Sequence, residues 1–138
     1  LMRRVSEAMT AFYDATVELG VADKVTAFTA SDFGRTLSSN GDGSDHGWGS
    51  HHFMVGGAVK GRAFYGKAPP VSITNTADAN DQWHVGQGRL LPSTSVDQYA
   101  AILAKWFGVS NTELAGVLPN LSHFGGADYP TDLGFMAA

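Results

Sequence analysis

Apolar positions in the first twenty residues recur at helical intervals. Val5, Ala8, Met9, Phe12, Ala15, Thr16 and Leu19 form one stripe, and Glu7, Asp14 and Glu18 lie off it. That period predicts an amphipathic helix over 5–19, stopped by Gly20. Residues 25–30, from Val25 to Ala30, are β-prone and carry no charge. Such a run predicts a central buried strand of a parallel sheet. A helix followed by a buried strand is half of a βαβ unit, whose other half would precede residue 1. Residues 31–52 read as irregular, rich in Ser, Asn, Gly and Asp. Residues 53–59 predict a second strand, turned by Lys60 and Gly61 into an extended stretch at 62–65.

Residues 66–93 predict a long loop rich in Pro, Asn, Asp and Thr, of a length that usually serves function. Ser95 and Gln98 have capping-box spacing ahead of a helix with Tyr99, Ile102, Leu103, Trp106 and Phe107 on its apolar side, ended by Gly108. Ser110 and Glu113 repeat the box for a short helix over Leu114, Val117 and Leu118. Pro119 to Ala138 reads as coil with scattered apolar residues.

Composition narrows the classes. The 138 residues fit one domain, 1–138, and the net charge of −4 argues against a nucleic-acid partner. With no cysteine, disulfides, thiolate metal sites and a thiol nucleophile are excluded. No apolar run approaches the ~20 residues of a membrane span.

The candidate chemistry lies in residues 31–52. His46, His51 and His52 cluster, flanked by Asp32, Asp42 and Asp45. Carboxylate and imidazole are the ordinary ligands of divalent cations where thiolate is lacking. Asp32 follows a predicted strand, where α/β sheets bind ligands. Arg35 is placed to clamp an anionic oxygen bidentately, or else to pair with Asp32 or Asp45. Asp32 and Asp45 also fit as loop caps. Isolated His84 and His123 read as structural. There is no Gly-x-Ser-x-Gly elbow, and Gly86, Gly88 and Arg89 are too short a set for a dinucleotide fingerprint.

Several separated motifs then agree. Residues 28–36, 43–49, 56–61, 88–92, 94–100 and 106–108 resemble, in order, the C-terminal part of the DUF1501 family. That family is assigned to the alkaline phosphatase-like, or sulfatase-like, superfamily. The resemblance implies an α/β fold: the C-terminal part of an α/β/α sandwich with a mostly parallel sheet. It implies a longer, exported bacterial protein, periplasmic or secreted. It also implies a metal-dependent hydrolase of phosphate or sulfate esters, inactive as the isolated chain. A divalent metal (zinc, manganese or calcium) would be held by Asp32, Asp45, His46 and His51. Arg35 would stabilise a small anionic ester or glycan. Phe33 stands where a metal-binding His is expected, which favours the alternative of a non-catalytic binding or assembly protein. An uncovered sheet edge predicts self-association or association with a missing N-terminal segment.

Overall fold

The helical stripe forms as predicted. In the computed structural model, which describes residues 1–137, the elements are α1 (Met2–Glu18), β1 (Thr26–Phe28), β2 (Gly34–Ser39), β3 (Ser44–Gly47), β4 (Met54–Gly56), α2 (Val96–Phe107) and α3 (Asn111–Val117). Single 3-10 turns occupy Ala22–Lys24, Asp81–Trp83 and Pro119–His123. Gly20 takes φ +68°, with its N–H on the Val17 carbonyl and the Val21 N–H on that of Thr16. This is a Schellman stop, and the Gly108 and Val109 amides close α2 in the same way on Lys105 and Ala104. The box ahead of α3 forms too: Glu113 accepts the Ser110 N–H at 3.1 Å and its hydroxyl at 2.6 Å. Those bonds hold the Glu113 carboxyl below its usual range.

The expected mostly parallel sandwich is overturned. Among the described residues the strands make two two-stranded antiparallel sheets, β1 with β4 and β2 with β3. Parallel pairing needs a long crossover, usually a helix, and none lies between the first strand and the last. Residues 25–30 are not a central buried strand. β1 pairs through Thr26 with Gly56, Ala27 with Val55 and Phe28 with Met54, so it is an edge strand, and Phe28 is 50% exposed. The irregular reading of 31–52 is corrected by the β2–β3 hairpin, and 62–65 forms no strand.

The chain divides into two compact units. The first comprises Leu1–Thr29, His52–Tyr65 and Val96–Ala138. Its core is Ile102, Phe135 and Met136, with Tyr99, Leu103, Trp106, Met54 and Val59 packed against them. The residues after Pro119 supply much of this core. The Phe135 carbonyl accepts the Lys60 N–H at 2.8 Å, and the Ala58 carbonyl accepts the Ala137 N–H at 2.7 Å. Tyr99 meets Phe135, Phe28 and the His52 ring, and burial raises its phenol pKa. Along α1, by contrast, Thr16 alone is buried.

The second unit comprises Ala30–His51 and Gly66–Ser95. Its backbone strands approach closely. A Cβ at Gly34 would lie 1.6 Å from the Gly49 carbonyl oxygen, so only glycine fits. The 66–95 segment has little regular structure, but the Leu37 N–H of β2 donates to the Gly88 carbonyl at 2.9 Å.

Candidate functional site

Of the residues considered for chemistry, Asp32, Arg35, Asp45, His46 and His51 fall in the second unit, and all are exposed. The hairpin sorts them. Arg35 of β2 stands directly across from His46 of β3. Cross-strand partners share a face, and residues two apart share it as well. The Phe33 ring accordingly stacks on His46, centroids 4.2 Å apart and planes 28° apart. The Arg35 guanidinium carbon lies 5.3 Å from the Phe33 centroid, a cation–π distance. One Arg35 N–H donates to the Ser44 carbonyl at 2.8 Å. A guanidinium has five N–H groups, so most remain for an incoming anion.

Strand geometry also separates what the sequence sets side by side. Neighbours on a strand point to opposite faces. Asp45 therefore turns away from His46 and accepts the Asn40 amide at 2.8 Å, while its own N–H donates to the buried Thr36 hydroxyl at 3.1 Å. Thr36 fills the irregularity in the β2–β3 ladder between Arg35 and Ser39. The ion pair of Arg35 with Asp32 or Asp45 does not form among the described residues. Asp32 lies in a bend closed by the Ser31 hydroxyl donating to the Phe33 carbonyl at 2.8 Å. Among the described residues no three His, Asp or Glu side chains are grouped to hold a metal ion. Asp32, Asp45, His46 and His51 are not brought together as one such group. His52, in the first unit, places its Nδ1 3.3 Å from the Thr29 hydroxyl and stacks on Tyr99.

Two buried polar groups organise 66–95: Asp81, which sequence reasoning passed over, and His84, which it read as structural. Asp81 is only 8% exposed, yet no cation pairs with it among the described residues. Its carboxylate accepts the hydroxyls of Ser72, Thr76 and Thr74 and the Thr76 N–H. The hydroxyls, led by Ser72, hold its pKa far below the usual carboxylate range. The alternation of Ser72, Thr74 and Thr76 ahead of Asp78 and Asp81 was the available signal. His84 is equally buried and is a satisfied structural histidine, bonded at both ring nitrogens.

A family model described as "Protein of unknown function (DUF1501)" matches residues 1–115. That is most of the chain, which therefore belongs to this family. No curated protein and no solved structure matches it.

Proposed function

We propose that this member of the DUF1501 family is a non-catalytic, exported binding protein for a small anionic ester or acidic glycan. Arg35 pairs with the anion, and the Phe33–His46 stack serves as a flat wall beside it. One observation carries the reading: Arg35, Phe33 and His46 share one exposed face of a short hairpin, with the carboxylate of Asp45 turned to the other. A guanidinium already aligned over a ring loses little freedom on forming a bidentate contact with a phosphate or sulfate oxygen pair. An aryl or sugar group beside the anion would gain contact with the exposed aromatic edge.

Calorimetric titration with phenyl phosphate and phenyl sulfate tests this. A charge-assisted hydrogen bond contributes about 1.5–3 kcal/mol, so Arg35→Ala should weaken binding at least about tenfold, with Arg35→Lys in between. Equal affinity in parent and Arg35→Ala would end the reading. The alternative, a metal-dependent phosphate or sulfate ester hydrolase, draws on the motif resemblance and on the exposed side chains of Asp32, His46 and His51. It requires further ligands from sequence outside these 138 residues. Stoichiometric metal together with arylphosphate or arylsulfate turnover by a longer form would favour it over the binding protein.

A further inference from the structure

The His84 ring can be assigned a proton from geometry alone. Its Nε2 lies 2.7 Å from the Gly88 backbone nitrogen. An amide N–H only donates, so Nε2 accepts. The ring proton therefore sits on Nδ1, facing the Thr74 carbonyl at 3.0 Å and the Asn75 side-chain oxygen at 2.9 Å, which both accept. The ring is neutral in this arrangement and 6% exposed.

What Nε2 holds is a strained turn. Gly86, Gln87 and Gly88 have φ of +94°, +55° and +73°, three left-handed residues in succession, and Gln87 has a side chain. The Val85 N–H donates to the Arg89 carbonyl and the Leu91 N–H to that of Trp83, closing the turn into a narrow hairpin. The Gly88 carbonyl in turn accepts the Leu37 N–H of β2. A Cβ at Gly88 would lie 2.8 Å from that Leu37 nitrogen, so the two backbones touch.

We propose that His84 is a pH-sensitive latch that fastens the 86–88 turn, and through Gly88 that turn's bond to β2. Protonation of Nε2 replaces the acceptor by a second N–H pointed at the N–H of Gly88. The bond is lost, two donors face each other, and the left-handed turn loses the contact that holds it. The neighbouring charges do not offset this. Asp81, one turn earlier, commits its carboxylate to Ser72, Thr74 and Thr76. Arg89 donates its Nε to the Gly86 carbonyl and adds positive charge on the turn itself. Asp78, three residues before the 3-10 turn, accepts the Asn80 N–H. Segment 74–75 offers neutral oxygens to Nδ1 alone, and β2 contributes the backbone of Leu37. The latch does not depend on what the hairpin binds.

NMR of the full chain at about pH 8 and about pH 5, either side of the range in which imidazoles titrate, tests it. At the higher pH the Nε2 signal should be of the unprotonated type and the Gly88 and Leu37 amides protected. At the lower pH Nε2 should become protonated, and protection at both amides should fall at least about tenfold after correction for intrinsic exchange. Ala137, in the other unit, should keep its protection. His84→Gln, which offers an oxygen acceptor that does not titrate in this range, should remove the pH dependence. Unchanged Gly88 protection across the two pH values would overturn the latch, as would the same loss in His84→Gln. If the variant does not fold, the parent's ring-nitrogen signal and Gly88 protection decide alone.

Discussion

At Asp81 a buried carboxylate is stabilised by three hydroxyls and an amide instead of a cation. These donors favour the charged form, so the folded pKa is depressed. A depressed carboxylate contributes stability that is fully present above its unfolded value, about 3.9. That contribution fades as pH falls below this value toward the folded one. Asp81→Asn should therefore lower the melting temperature near neutral pH, and the deficit should shrink below about pH 4. Thermal melts of both chains across that window check the sign. Glycine makes the same kind of point sterically. Gly20 and Gly88 both have positive φ, but a Cβ on Gly20 meets open space, whereas one on Gly88 meets Leu37. Gly20→Ala should cost about 1–2 kcal/mol, from φ alone. Gly88→Ala should cost more, and paired denaturation curves would separate the two causes.

At the scale of elements, the helices and their ends were readable because their signals are local. The 5–19 stripe, the box at Ser110, and the stops at Gly20 and Gly108 each need only a few neighbouring residues. The β2–β3 hairpin was missed, and 31–52 was read as irregular, because its exposed polar strands have no apolar alternation to announce them around the turn at Asn40 and Gly41. The uncharged run at 25–30 misled for the opposite reason. Its Phe28 packs against Tyr99 from an edge strand, and a short apolar run looks the same in either setting. Swapping Asn40 and Gly41 for two β-branched residues should disrupt the β2–β3 register and scatter Arg35 from His46. Loss of the cross-strand contacts between Arg35 and His46 in NMR spectra would record it.

At the scale of the molecule, the residues after Pro119 carry weight that their sequence hides. Phe135 is 1% exposed and contacts both Tyr65 and Tyr99. Phe135→Ala should cost about 3–5 kcal/mol, a large share of the stability of a domain this size, and a urea titration would measure it. The chain by itself determined its helices, their caps, the absence of thiol chemistry and, through separated motifs, its family, because each of these is written in neighbouring residues or in composition. Only the tertiary structure decided the antiparallel pairing, the Asp81 and His84 networks, and the separation of Asp45 from His46. Pairing depends on which distant strand arrives, buried polar groups depend on donors brought from elsewhere, and the alternation of a strand sends two adjacent ligands to opposite faces.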